Sequence, residues 1–403
     1  MRARSIVVLT LLFLSISSAQ AATQKVLYTF TGGLDGSQPY QAGVIFDPAG
    51  NLYGVTQYGG AYNQGTVFQL TPSPSGPWTE TVLYSFMGVP DGEQPQGGLV
   101  IDGAGNLYGT TSFGGDPNSG CGTVFELSPS ESGWTFTVLH AFAGGKDGCS
   151  PQADLSLYGD IYGTTAGGGS GSQGTVFVLS TSGGNDSVGS FAKNTGMYPG
   201  GLGLFTSGGA VRAIYGTTYL GGKQQKGNTF ELTWGNHIVA KHVFNTTNKA
   251  GYWPVGDLLT QINAGEVWMM YGTTSRGGGG GRGAVYRLTE SQASYDVWEL
   301  SVLHVFSGSD GDSPWAGVVL DAAGNLYGTT QWGGPEGSNA GTVFKLTPGA
   351  KKKWTQTVLY SFTGGADGSV PTSGVVLDNA GNLYGTTVSG GAYNQGVVYE
   401  VTP

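Results

Sequence analysis

The sequence predicts an all-β fold, a seven-bladed β-propeller with four antiparallel strands per blade. Three observations carry that prediction. The pattern Tyr-Gly-x-Thr begins at Tyr53, Tyr108, Tyr162, Tyr215, Tyr271, Tyr327 and Tyr384, at steps of 53 to 57 residues. Each copy divides into four short apolar segments separated by glycine-rich turns, which at this period describes one blade. The two chain ends are complementary: "KVLYTF" at 25–30 matches a fourth strand, and the last copy stops after its third.

Residues 97–142 show the parsing. "GLVID" is strand a, "GAGN" a turn, "LYGTT" strand b, "GTVFELS" strand c and "WTFTVLHAF" strand d. In strand c, Thr123, Phe125 and Leu127 alternate with Val124 and Glu126, the period of a strand. Its aromatic recurs as Phe68, Phe125, Phe177, Phe230, Tyr286, Phe344 and Tyr399. A sheet apolar on both faces needs a neighbour on each side, and a ring supplies both. Strand 25–30 is therefore expected in the last blade, removing the sheet edge between the termini. The expected blades cover about 43–86, 97–142, 153–191, 200–244, 255–306, 317–362 and 374–403 plus 25–30, all one domain over 22–403. Copies three to five are worn, with "DSVGSFA" where the third should have strand d. The glycine of Tyr-Gly-x-Thr sits mid-strand, where it weakens pairing unless a bulge or a close approach compensates. Asp47, Asp102, Asp321 and Asp378 in "DxxGN" fit Asx-type turns.

Composition agrees. Of 403 residues 75 are glycine, 11% are charged and 12% aromatic, with no collagen period and too many rings for a disordered chain. Residues 1–21 read as a cleaved signal peptide: Arg2 and Arg4, the apolar "SIVVLTLLFLSIS", then Ala19-Gln20-Ala21. That run is short of the ~20 residues a membrane span needs, and no later segment is apolar enough. Cleavage takes the net charge from −9 to −11, which disfavours nucleic acid as a partner. The expected location is secreted, periplasmic or extracellular, and the expected state a monomer.

"GNLYGTTSFGG", "GTVFELS" and "GGADGSVP" resemble the Gloeo/Verruco tandem repeats of bacterial choice-of-anchor proteins over essentially the whole mature chain. The resemblance implies export and a repeat domain often followed by a variable sorting tail. None is expected after Pro403. It brings no catalytic residues. A weaker likeness to kelch and lyase-type propellers rests on glycine doublets and blade size.

Candidate chemistry is sparse. His140, His242 and His304 share one strand-d position with Tyr28, Tyr84 and Tyr360, so they sit in different blades and fit packing rather than catalysis; His237 has no evident partner. Asp35, Asp91, Asp147, Asp310 and Asp367 recur in the d–a loop "GGxDGxxP". One carboxylate per blade suits a turn better than calcium. The run "GGGGGRG" at 277–283 lacks the residues of a phosphate loop. No catalytic residue, metal ligand or cofactor is expected. Cys121 in a b–c loop and Cys149 in the next d–a loop are expected to form a disulfide.

The d–a and b–c loops of a propeller share one face, and here their aromatics vary on a repeated frame. The ligand candidates are Trp315, Trp332, Trp253, Tyr58, Phe113, Tyr40, Asp116 and Asp312, with Tyr62, Tyr198, Tyr219 and Tyr393 nearby. Aromatic platforms with a few polar groups suit sugars. The leading reading is a secreted, non-catalytic binding or adhesion module for a glycan or another extracellular ligand. A glycosidase or lyase using Asp116, Glu93, Asp312 and Glu336, and a purely structural envelope protein, are the alternatives.

Overall fold

The seven Tyr-Gly-x-Thr segments each become the second strand of a four-stranded sheet. The computed structural model describes residues 22–73, 77–181, 185–233, 235–247, 249–262, 268–291, 297–335 and 338–403. The signal-peptide reading of 1–21 and the candidate Glu336 lie outside the described residues. Blade one consists of Ile45–Phe46, Leu52–Thr56, Thr66–Thr71 and Thr79–Ser85, paired in that order. The other blades repeat the plan. Strand a is short in most copies, but it runs over Met197–Ser207 in blade four and Tyr252–Ile262 in blade five. The worn segment of the third copy still pairs as Asn185–Ser190.

The ring closes as the sequence implies. Thr23–Thr29 pairs antiparallel with Val397–Thr402, from Thr23 opposite Thr402 to Thr29 opposite Val397, as the outer strand of blade seven. Seven buried apolar clusters result. One of them packs Leu27, Phe30, Tyr384 and Val398 of blade seven against Val44, Leu52, Phe68 and Leu70 of blade one.

Each letter of the repeat has a physical task. The glycine of strand b pairs directly with the aromatic of strand c, as in Gly109 with Phe125 and Gly328 with Phe344. The ring folds over the glycine, so a Cβ at Gly109 would meet Phe125 Cζ at 2.5 Å. This is a ring covering a strand glycine, the close approach expected from the sequence. The same ring receives the edge of a phenylalanine from the preceding blade. Phe30–Phe68, Phe86–Phe125, Phe142–Phe177, Phe191–Phe230, Phe244–Tyr286, Phe306–Phe344 and Phe362–Tyr399 have centroids 4.8 to 5.3 Å apart, near perpendicular. Each such pair contributes roughly 0.5–1.5 kcal/mol beyond area burial.

The threonines stitch blades together. Thr164, Thr217, Thr273, Thr329 and Thr386 donate to strand-a carbonyls of the next blade: Gly200, Gly256, Ala316, Ser373 and, across the closure, Ala42. The following threonine pairs its hydroxyl with the first threonine of strand c, as in Thr111 with Thr123 at 2.9 Å. The tyrosine anchors the turn before it. Tyr53 and Asn51 donate to Asp47 Oδ2, and the Ala49 and Asn51 amides to Oδ1. Burial alone would raise the Asp47 carboxyl, but these donors more than offset it and hold it below the usual carboxylate range.

The d–a loops complete the frame. Asp35, Asp91 and Asp367 accept from Tyr28, Tyr84 and Tyr360 of strand d, while His140 and His304 take the same role toward Asp147 and Asp310. The residue before each loop proline has a left-handed backbone: Gln38, Gln94, Ser150, Tyr198, Trp253, Ser313 and Val370, with φ from 52° to 60°. Cys121 and Cys149 form the expected disulfide, with Cα atoms 4.5 Å apart and 28 residues between them in sequence. Closing that loop contributes about 3–4 kcal/mol in the chain-entropy account. Among the described residues no helix is long and apolar enough to cross a membrane.

Candidate functional site

The seven strands a surround a cavity of about 760 Å³ on the propeller axis. One position of the repeat faces it in every blade: Gly43, Gly98, Asp154, Gly201, Asp257, Gly317 and Gly374. Five copies keep glycine; copies three and five carry aspartate. Glycine lets the strands converge near the axis, and the two aspartates occupy the space that this leaves.

The two carboxyls meet. Asp257 reaches over Gly201, where any Cβ would overlap its carboxyl, and comes near enough to Asp154 for each carboxyl to act on the other. Asp154 Oδ1 also accepts the Gly98 amide at 2.5 Å. Both residues keep some surface open to the cavity, yet protein encloses that space laterally. Enclosure raises both carboxyls above the usual range, and the neighbouring carboxyl of Asp154 pushes Asp257 further, well above it. Two carboxyls placed this close titrate as a pair rather than singly. Asp257 also lines a second cavity of about 390 Å³ with Tyr158, Leu204 and Thr260, so it stands at the septum between two axial spaces.

Above the pair, the mouth is aromatic and amide-rich. Tyr40, Tyr198, Tyr219 and Trp315 line it, with Gln41, Gln96 and Gln152 between them. Tyr219 lies 5.8 Å from Trp315 and 5.4 Å from Trp253, ring centroid to centroid. Burial first, then Tyr219 nearby, raises the Tyr40 hydroxyl, which stays a neutral donor. Among the described residues, no lysine, arginine or histidine lines the cavity.

The expected ligand residues divide. Tyr40 and Trp315 come together at the mouth. Trp253 stands behind Tyr219, with Lys226 Nζ 5.4 Å from its ring. Tyr58, Phe113 and Trp332 do not line the cavity. They bridge to Ser37, Glu93 and Asp312 of the d–a loops and lie around the rim. Asp116 accepts the Asn118 and Ser119 amides of its own loop, and these hold it below the usual carboxylate range. Asp312 is 9% exposed and ion-paired to Arg276 and Arg282. Of the described acids weighed for hydrolysis, Glu93 and Asp116 stand in the entry and b–c loops of blade two and Asp312 at the entry of blade six. Sequence reasoning missed Asp154, Asp257 and Gln96. The available signal was aspartate replacing the repeat glycine in two copies.

Fold and site together define a seven-bladed β-propeller with an acid-floored axial cavity. The chain belongs to the Gloeobacter/Verrucomicrobia repeat family, whose model matches residues 13–160 and 269–403. Tyr198, Gly201, Tyr219 and Asp257 all fall in the stretch between those matches, where the repeat is least regular. No curated protein matches the chain. Among solved structures, a putative 6-phosphogluconolactonase from Bacteroides fragilis is 14% identical with a TM-score of 0.50, covering 85% of this chain and 87% of that one. A putative 6-phosphogluconolactonase from Bacteroides uniformis is 13% identical over 79% and 84%, with a TM-score of 0.48. A luciferin-regenerating enzyme is 13% identical over 77% and 91%, with a TM-score of 0.45. At such identities the likeness is one of fold.

Proposed function

We propose that the protein is an exported, monomeric, non-catalytic carbohydrate-binding propeller that takes a sugar unit in the axial cavity. The observation that carries the reading is the group Tyr40, Tyr198, Tyr219 and Trp315 around an opening of ligand size, above buried amide and carboxyl groups. Sugars present apolar CH faces to rings and hydroxyls to amides and acids, and sites of this kind run to roughly 300–1,000 Å³. Export is supported by the charged, apolar and small-residue pattern of residues 1–21 and by the Cys121–Cys149 disulfide, a bond that persists in oxidising compartments.

A hydrolytic role has less support. Two carboxyls that flank a glycosidic bond stand about 5–10 Å apart, whereas those of Asp154 and Asp257 act on each other at close range. A purely structural role leaves the cavity and its aromatic mouth without purpose. The test is a glycan array probed with the chain spanning residues 22–403. Binding lost in Trp315→Ala and kept in Trp332→Ala supports the reading. Absence of binding to every glycan, or binding lost only in Trp332→Ala, overturns it.

A further inference from the structure

The floor of the cavity specifies the ligand's charge. Among the described residues, Asp154 and Asp257 are the only carboxyl groups lining it, beside the phenols Tyr40, Tyr198 and Tyr219. No cationic side chain answers them from the lining. Both carboxyls border the enclosed space, Asp154 at the Gly98 amide and Asp257 over Gly201. Gln96, only 7% exposed, lines the same space, and its carboxamide makes no hydrogen bond among the described residues. That carboxamide is open to the cavity and free to hydrogen-bond a ligand group.

We propose that the sugar unit bears a primary ammonium group, which sits on the Asp154–Asp257 pair while the sugar ring lies against the aromatic mouth and its amides. The inference rests on the carbohydrate-binding reading and names its substrate class: an amino sugar with a free amine. One ammonium supplies the countercharge to the pair. It offers three donors, which the two carboxyls accept, and charge-assisted bonds of this kind are the stronger ones. Tyrosine and tryptophan faces above add cation–π attraction, which the rim already shows in Lys226 over Tyr252 at 4.5 Å. A uronic acid would meet like charge. A neutral sugar would leave the pair uncompensated.

A divalent cation fits less well. It would need six or more oxygens. Of the carbonyls of lining residues, those of Gly200, Gly256 and Ala316 already accept threonine hydroxyls. Among the described residues, no three carboxylate, histidine or cysteine side chains group to hold a metal.

The experiment is calorimetric titration of residues 22–403 with the β-1,4-linked glucosamine disaccharide, and with the same disaccharide N-acetylated on both nitrogens. Asp154→Asn/Asp257→Asn keeps the shape and removes the charge, and Asp257→Asn alone is the second variant should the double one fail to fold. The expected result is binding of the free amine about tenfold or more tighter than the acetylated form, with that preference lost in the variant. Equal affinities, or tighter binding of the acetylated sugar, overturn the inference and leave carbohydrate binding standing. No binding of either overturns the inference, and the glycan array alone then decides the carbohydrate-binding reading. Calcium chloride alone binding the wild type and not the variant overturns it in favour of a metal site.

Discussion

Asp257 of blade five reaches toward Asp154 of blade three by passing over Gly201 of blade four. Three blades thus contribute one residue each to a single contact. Gly201→Ala places a methyl group on the Asp257 carboxyl. Urea denaturation is expected to show a loss of about 1–3 kcal/mol, the usual range for overpacking. In an Asp257→Gly background the same substitution is expected to cost much less, because the obstructed group is gone. Equal costs in both backgrounds would contradict the contact.

Gly109→Ala tests why the repeat keeps its glycine. The added Cβ meets Phe125 Cζ at 2.5 Å in a space sealed by Phe86. We expect a loss of about 1–3 kcal/mol. Gly103→Ala, in a turn where an added Cβ meets nothing within 4 Å, is expected to be near neutral. Thermal denaturation of both variants reads the contrast.

Val370 is a β-branched residue held at φ 60°. Left-handed backbone suits asparagine and glycine and strains valine. Val370→Asn is expected to raise stability by about 1 kcal/mol in urea denaturation. A loss of stability would show that the valine side chain contributes more packing than its backbone costs.

Glu80 gives a pH signature. Burial, then the charge of Asp35, push its carboxyl up to about 7 from 4.5, and its Oε1 is buried without a hydrogen-bond partner among the described residues. The folded chain binds the proton that the unfolded chain releases near 4.5, so this group's contribution to stability falls as pH rises from about 4.5 to about 7 and is level above. Glu80→Gln is expected to flatten that part of the profile and to stabilise the protein above pH 7. The size is on the order of 1–2 kcal/mol once solvent screening of a half-buried group is allowed for. Chemical denaturation at pH 5 and pH 8 reads it; an equal effect at both would contradict the assignment.

Blade number, strand order and closure were legible because they repeat. Tyr-Gly-x-Thr marks each second strand, and "KVLYTF" is a fourth strand without a first three. The disulfide followed from placing Cys121 and Cys149 on loops of one face. The axial acids were not legible by the same route, because a search for repetition passes over the places where it fails. Asp154 and Asp257 are two such failures, glycine in the other five copies. The loop aromatics were read one residue too coarsely. Tyr219 follows its Tyr-Gly-Thr-Thr segment directly and lines the cavity, whereas Tyr58, Phe113 and Trp332 sit one position later in their copies and stand on the rim. Ion pairing of Asp312 to Arg276 and Arg282 joins loops far apart in any linear reading.

The axial pair is measured most directly by carbon-13 NMR of aspartate-labelled protein titrated from pH 3 to pH 9. The turn aspartates Asp47, Asp102, Asp321 and Asp378 lie below the usual range and are expected to be fully ionised well before neutrality. One axial carboxyl is expected to titrate last of all the aspartates, well above their ordinary range, and its signal to vanish in Asp257→Asn. Complete ionisation of every aspartate below pH 5 would contradict an interacting pair of carboxyls on the axis, and with it the charge selection proposed for the cavity.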